Sequence, residues 1–223
     1  LRVAGLIPTT EPYTALGFTH VNGGGEQMAA GLHTVTGANA IVDWVLIEGR
    51  STTFPHAVLA TRSALLQRDG DIVGTDGSSP VMLQLAPGSY HIAVRHRNHF
   101  GAMTNLPVAL SATAIDVDFR SSGTVTYGTD ARKSDQGALM LWSGNVRKDQ
   151  VLRYTGQDND RDPILSVIGG TIPTGTIVGY YSEDTNLSGL VKYTGSANDR
   201  DIILYNIGGS VPTATRMEQL PSP

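Results

Sequence analysis

An internal repeat fills the C-terminal part of this 223-residue chain, and it limits the possible folds more than any other sequence feature. Residues 145–176 and 184–215 match at a constant offset of 39, and roughly half of the aligned positions are identical. Such a repeat predicts a duplicated structural unit. The shared positions are Tyr154-Thr155-Gly156, Asn159-Asp160-Arg161-Asp162, Ile164-Leu165, Ile168-Gly169-Gly170 and Pro173-Thr174, which recur as Tyr193-Thr194-Gly195, Asn198-Asp199-Arg200-Asp201, Ile203-Leu204, Ile207-Gly208-Gly209 and Pro212-Thr213.

The second copy begins with oxygen-bearing side chains at alternate positions. Asp184, Asn186 and Ser188 stand at positions 1, 3 and 5 of an EF-hand-like loop, and Gly189 follows where the sharp turn needs glycine. The backbone carbonyl of Leu190 would add a further oxygen. Because calcium is a hard cation that takes six to eight oxygen ligands, this spacing predicts a Ca²⁺ site. Position 12 carries Gly195 instead of the usual carboxylate, and the residues expected to replace it are Asn198, Asp199 and Asp201.

The first copy keeps fewer ligands at the same positions. Asn145 and Asp149 stand at positions 1 and 5, but Arg147 puts a cation at position 3 and Gln150 replaces the glycine. We therefore expect this loop either to bind calcium weakly or to replace the ion with its own guanidinium. The remaining candidate ligands of this copy are the carbonyl of Val151 and the side chains of Asn159, Asp160 and Asp162.

A second interpretation of the acidic residues is helix capping. Asp162-Pro163 is a favourable helix start, and Gly169-Gly170 is a favourable stop. In this interpretation Asp160, Asp162, Asp199 and Asp201 only cap two short helices, whose isoleucines and leucines fill a small core. The two interpretations are compatible, since one carboxylate can both cap a helix and bind a metal ion.

The part of the chain before the repeat has the pattern of a β protein. Helical periodicity is nearly absent, and short runs of Val, Ile, Leu and Thr alternate with Gly, Pro, Asn and Asp clusters. The almost continuously apolar run 41–48 predicts a central strand covered on both faces. The sequence thus predicts a mainly β protein with an immunoglobulin-like β-sandwich of about seven strands.

The predicted domain boundaries divide the chain into five parts. They are an N-terminal arm at 1–27, the sandwich at 28–120, a linker at 121–144, two repeats within 145–215, and a tail at 216–223. The predicted strands of the sandwich include 81–85 and 114–119.

Composition and motifs exclude several classes of protein. The chain has no cysteine, which rules out disulfides, thiolate zinc sites and cysteine nucleophiles. Its net charge of −4 leaves no basic surface for nucleic acid, and no apolar run is long enough to span a membrane. We find no motif of a catalytic site and expect no enzyme. His91 and His96 have opposite parity on a strand, so they cannot share one metal ion. We expect His91, His96 and His99 to be solvated.

Several motifs resemble one family of secreted proteins. The frame from Asp184 to Leu204 is similar to the dockerin-like repeats near the ends of large secreted proteins of Bacteroidota. The segments 1–13, 42–45, 60–71 and 94–99 resemble the adhesin-like or haemagglutinin-like region that precedes those repeats. The resemblance implies an exported, non-catalytic cell-surface or fibre-forming module with calcium-binding repeats. Because the chain starts at Leu1 rather than Met, we also expect a processed product.

These observations lead to the hypothesis of an extracellular structural protein that assembles with copies of itself into a filament. The apolar residues Val3, Leu6 and Ile7 could form a strand donated to the sheet edge of a neighbouring copy, and head-to-tail donation would propagate a fibre. The alternative is that this stretch pairs within its own chain.

A hypothesis from another class is a binding module, either an adhesin for surface glycans or a dockerin-like anchor for a protein partner. The tyrosines Tyr154 and Tyr193 and the Arg and His residues of the 90–99 strand would serve that function.

Overall fold

The computed structural model describes residues 1–222 and shows a mainly β protein with antiparallel sheets and two short α-helices, which confirms the predicted class. The N-terminal sheet contains β1 (Ile41–Arg50), β2 (Val58–Gln67), β3 (Ile72–Val73), β4 (Gly88–His96), β5 (His99–Met103) and β6 (Val108–Leu110). A hairpin of β7 (Lys133–Asp135) and β8 (Ala138–Met140) follows. The repeats contribute β9 (Val151–Arg153), α1 (Arg161–Val167), β10 (Thr176–Val178), β11 (Leu190–Lys192), α2 (Asp199–Asn206) and β12 (Thr215–Met217).

The N-terminal sheet is built around β1. Its strand order is β3-β2-β1-β4-β5, and β6 pairs with the beginning of β4. Nearly every residue of β1 is buried, as expected for an almost continuously apolar strand that is covered on both faces. Trp44 and Leu46 face one core, which includes Ile7 and Tyr13 of the N-terminal arm. Val45 and Ile47 face the other core, so the sheet is the central layer of this region.

All strands between residues 28 and 120 join this one sheet, whereas an immunoglobulin-like sandwich divides its strands between two facing sheets. The predicted strands at 81–85 and 114–119 are irregular segments. Val81 and Leu83 nevertheless pack against the core on one face of the sheet. The alternation of apolar residues in 81–85 therefore reflects burial of their side chains, not strand hydrogen bonding. A sequence pattern alone does not distinguish a buried irregular segment from a strand.

The two repeats pair reciprocally. β9 of the first repeat pairs with β12 after the second helix, and β11 of the second repeat pairs with β10 after the first helix. The loops are linked in the same way, since the Thr155 hydroxyl donates to the Pro212 carbonyl and the Thr194 hydroxyl donates to the Pro173 carbonyl, each at 2.9 Å. Both helices and these strands enclose one core, whose buried members are Val146, Leu152, Ile164, Val191, Tyr193, Ile203, Ile207 and, from β5, Phe100.

The N-terminal arm packs on its own chain. Ile7 is buried beside Trp44, Leu6 lies against Gly189 in the second repeat, and Val3 is fully exposed. Residues 1–8 form turns rather than a strand. Donation of this stretch to a neighbouring copy would therefore first require Leu6 and Ile7 to leave their contacts within the chain.

The C-terminal tail returns to the sheet. Leu220 is buried against Ala93 and Met103, and the Pro221 carbonyl accepts a hydrogen bond of 2.8 Å from the Arg50 guanidinium. A Cβ atom at Gly101 would lie 2.5 Å from a Leu220 methyl carbon, so a larger residue there would have to displace the Leu220 side chain. No helix in residues 1–222 has the length and apolarity needed to cross a membrane.

Candidate metal centre and its junction with the sheet

The loop at 184–190 turns the Asp184 carboxylate inward. Its Oδ1 accepts a hydrogen bond from the Ser188 N–H at 2.9 Å, and its Oδ2 accepts one from the Gly189 N–H at 2.7 Å. The loop can close around this carboxylate because Leu187 and Gly189 have left-handed backbone, with φ of 59° and 86°. Asp184 is fully buried as a result.

Asp199 is the second carboxylate of this loop, although the sequence places it four residues beyond the usual position. It lies at the start of α2, and it accepts hydrogen bonds from the N–H groups of Asn186 at 3.3 Å and Lys192 at 2.7 Å. It is also fully buried. Burial, with a smaller contribution from the nearby Asp184 charge, raises the pKa of Asp199 to about 6, although its backbone hydrogen bonds act to lower it. A buried pair of carboxylates with only uncharged donors is an environment that favours a bound cation.

The other loop residues add uncharged oxygens next to this pair. The Asn186 Oδ1 accepts a hydrogen bond from the Ser188 N–H at 3.0 Å, and the Ser188 hydroxyl lies 3.4 Å from Asp184 and 3.3 Å from the Leu190 carbonyl. The structure thus brings together the loop residues that the spacing predicted. Within residues 1–222, no group of three or more His, Cys, Asp or Glu side chains converges on one point. A cation here would depend on two carboxylates together with amide, hydroxyl and carbonyl oxygens.

The remaining predicted ligands of the second repeat cap the helix instead. The Asn198 Oδ1 accepts a hydrogen bond from the Asp201 N–H at 3.1 Å, and the Asn198 amide donates to the Asp201 carboxylate at 2.7 Å. Asn159 and Asp162 make the same two contacts in the first repeat, at 3.0 and 2.8 Å. The residues of the Asn-Asp-Arg-Asp motif therefore have two different roles. The first and last residues cap the helix, and the second residue faces the loop.

The first loop has the same architecture with one carboxylate fewer in its centre. Asp160 takes the place of Asp199 and accepts hydrogen bonds from the N–H groups of Arg147 and Arg153 at 3.1 and 3.0 Å. Burial raises its pKa to about 6, and the charge of Asp149 adds to this effect. Asn145 replaces Asp184 and donates to the Asp149 carbonyl, while its own side-chain oxygen is buried and has no partner among the described residues.

The Arg147 guanidinium does not occupy the centre of the first loop. Its Nε donates to the Asn159 carbonyl at 3.0 Å, and its Nη1 lies 3.6 Å from the exposed Asp158 carboxylate. The Asp149 carboxylate is also turned toward the backbone, because it accepts the Val151 N–H at 2.9 Å. The idea that the guanidinium replaces the ion is therefore not supported by this geometry.

The turn between β4 and β5 connects both loops to the N-terminal sheet. The Asn98 amide donates to the carbonyls of Ser182 and Asp184 at 2.9 and 2.8 Å. The Asn98 carbonyl accepts the N–H groups of Gly144 and Asn145, at 2.9 and 3.0 Å. One residue of this turn thus contacts the first residue of each repeat loop.

Beside Asn98 lies a buried network of charged groups. Asp43 accepts hydrogen bonds from Arg97 at 2.5 Å and from the Tyr180 hydroxyl at 2.5 Å, and its carboxylate lies 3.2 Å from His96. The Arg97 guanidinium also stacks over the Tyr180 ring, with its central carbon 4.0 Å from the ring centroid. The network spans the sheet and the repeats, because Tyr180 follows β10.

The sequence-based expectation of solvated histidines is wrong for two of the three. His91 and His96 are buried, and His99 is half-buried with a ring nitrogen 2.8 Å from that of His96. Burial lowers the pKa of His96, and it lowers that of His99 well below the usual value. One signal was present in the sequence, since Asp43 interrupts the apolar run 41–47 of a buried strand and a buried carboxylate needs a charged partner.

Comparison with protein-family models, with curated proteins and with solved structures finds no match for this chain.

Proposed function

We propose that this protein is a non-enzymatic, extracellular structural module whose dockerin-like tandem repeat is held together by Ca²⁺ in its second loop. The observation that carries the proposal is the pair of fully buried carboxylates, Asp184 and Asp199, whose described hydrogen-bond donors are all uncharged. Burying two like charges without a cation is costly, and a divalent cation removes that cost. The resemblance to secreted surface proteins agrees with this proposal.

The donor set favours calcium over transition metals. Asp184, Asp199, Asn186, Ser188 and the Leu190 carbonyl offer oxygen only, and hard oxygen ligands suit Ca²⁺. Extracellular calcium is abundant, so that even a site of modest affinity would be occupied outside the cell. When bound, the ion would supply positive charge to the loop, and the residues of the chain would hold the loop in its closed form.

The effect of the ion would extend beyond its own loop. Asn98 donates to the carbonyl of Asp184, so the conformation of the second loop determines whether this hydrogen bond to the sheet can form. A closed loop therefore stabilises the junction between the sheet and the repeats. Filament formation by a donated N-terminal strand is not part of the proposal, because Leu6 and Ile7 are already used inside the chain.

Calcium is expected to stabilise the chelator-treated protein, and Asp199→Asn is expected to abolish that response. At a free calcium concentration of 100 times Kd, linkage gives about 2.7 kcal/mol of additional unfolding free energy. In chelator the Asp199→Asn variant should be at least as stable as the wild type, because it removes a buried charge. Calcium titration calorimetry and urea unfolding with and without calcium measure both effects.

Asp201→Asn is the matched control for this experiment, since Asp201 belongs to the same motif but contacts the helix cap and the neighbouring Arg200 instead of the loop. We expect Asp201→Asn to keep the calcium response. Absence of heat and of any change in unfolding midpoint on adding calcium to the wild type would refute the proposed site.

Calcium affinity should also depend on pH. Because the raised pKa of Asp199 is about 6, the carboxyl group is protonated below that pH, and calcium must displace the proton. The dissociation constant should therefore rise by about tenfold for each pH unit below 6 and level off above it. Calorimetric titrations between pH 5 and 7.5 test this, and a dissociation constant that stays constant over the range would contradict it.

A further inference from the structure

A cleft of about 370 Å³ lies at the end of α2, on the side of the second repeat that faces the β7–β8 hairpin. Lys133 and Ser134 of β7 line one side, and Trp142 follows the hairpin. Tyr205 of α2 and Arg216 of β12 line the other side. The cleft lies outside the proposed calcium loop, and none of its five named residues belongs to the metal centre.

The cleft combines two cations with two aromatic rings. The central carbon of the Arg216 guanidinium lies 3.5 Å from the Trp142 ring centroid, and the Lys133 ammonium lies 4.3 Å from the Tyr205 ring centroid. The Arg216 side chain is fixed further by a hydrogen bond of 2.7 Å to the Asn206 carbonyl. Both cations are thus held in place before any ligand arrives, which lowers the entropic cost of binding.

Each cation has one acidic neighbour that a ligand could replace. Arg216 pairs with Asp130, and Lys133 lies 3.4 Å from Asp135. The Asp130 and Asp135 side chains are 49% and 36% exposed, whereas the Arg216 and Lys133 side chains are 20% and 16% exposed. An incoming anion would bind the two cations by replacing these more exposed carboxylates.

Comparison of the two repeats shows that the first repeat folds without two of the cleft residues. Tyr205 and Arg216 correspond to Ser166 and Ile177 at the offset of 39, whereas the core positions Ile164 and Ile203 are identical. Tyr205 is 61% exposed, so its ring adds little to the core. The second repeat thus carries an aromatic and a cationic side chain at two positions where the first repeat folds without them.

We propose that this cleft binds an anionic pyranose, such as the uronic acid unit of an oligosaccharide. The acid group of the sugar would pair with Lys133 and Arg216, and the apolar C–H face of the ring would lie on the exposed Tyr205 ring. The Ser134 hydroxyl can donate to, or accept from, a sugar hydroxyl group. A volume of about 370 Å³ holds one or two sugar rings.

The chemistry of the cleft distinguishes this ligand from others. A neutral sugar would not use the two cations. A nucleic acid would require a continuous basic surface, whereas this chain has a net charge of −4 and acidic residues on both sides of the cleft.

The test uses the full chain saturated with calcium and three probes of equal length. These are an unsulfated glucuronate-containing tetrasaccharide, its sulfated counterpart, and a neutral N-acetylglucosamine tetrasaccharide. Calorimetry and saturation-transfer NMR should detect the two acidic probes and not the neutral one. Binding by either acidic probe supports the proposal, and the ratio of their affinities identifies the preferred acid group.

Variants locate the binding site. Tyr205→Ser, which installs the residue of the first repeat, and Lys133→Gln should each weaken binding by about tenfold. Tyr205→Phe keeps the ring and should retain affinity, and Lys148→Gln is the control for an exposed lysine elsewhere. Equal binding of the neutral probe, no binding of any probe, or unchanged affinity in both Tyr205→Ser and Lys133→Gln would overturn the proposal. None of these outcomes bears on the calcium site.

Discussion

Replacing Asp43 with Asn is expected to lower the free energy of unfolding by about 3–5 kcal/mol, because it leaves the Arg97 guanidinium buried without a counter-charge. Arg97 is fully buried, and Asp43 is its only anionic partner among residues 1–222. Burial alone would raise the pKa of Asp43, but Arg97 and His96 hold it far below its usual value, so the carboxylate stays charged at neutral pH. Urea unfolding in the presence of calcium measures the loss.

Asp118→Asn is the matched control for the Asp43 variant. Asp118 pairs with Arg120 at 3.1 Å on the surface, where both side chains are close to half exposed. This change should alter the unfolding free energy by less than about 1 kcal/mol. If Asp43→Asn cost no more than Asp118→Asn, the buried network would not stabilise the junction between the sheet and the repeats.

Shortening Leu220 to Ala is expected to cost about 2–5 kcal/mol, the usual range for a buried leucine. Leu220 is 2% exposed and anchors the tail on Ala93 and Met103 of the sheet. Loss of this anchor also weakens the nearby contact of the Glu218 carboxylate with the Gly101 N–H, at 2.6 Å. Burial of the Glu218 carboxyl group in this contact raises its pKa.

Leu106→Ala provides the comparison for the Leu220 variant, since Leu106 is 71% exposed and the same atoms are removed. We expect a change within about 0.5 kcal/mol for it. Equal midpoints of unfolding for the two variants would mean that the tail does not contribute to the stability of the fold.

The repeat, its helices and the oxygen donors of the second loop could be predicted from the sequence, because they depend on residues close together in the chain. The sequence could not predict that Asn198 caps α2 whereas Asp199 faces the loop. Carboxylate and amide side chains can each cap a helix or coordinate a cation. Which of the two roles a residue has depends on the direction in which its side chain leaves the helix.

The junction could not be predicted for a different reason. Asn98 contacts residues near 144 and 184, and Asp43 contacts Arg97 and Tyr180. Such contacts join segments that are distant in sequence and leave no periodic pattern. The N-terminal arm shows the same difficulty, since the apolar residues of 3–7 can bury themselves equally well on a neighbour or on their own chain, and here Ile7 packs within the chain.

The reciprocal pairing of β9 with β12 and of β10 with β11 has a consequence for how the chain completes its fold. During synthesis, β9 has no partner until residues 215–217 have emerged, so the first repeat cannot close before those residues are made. In a concentrated solution of unfolded chains, the second repeat of another molecule offers β9 and β10 the same partners. Dilute refolding should therefore yield monomers, and concentrated refolding should yield dimers whose second repeats are exchanged.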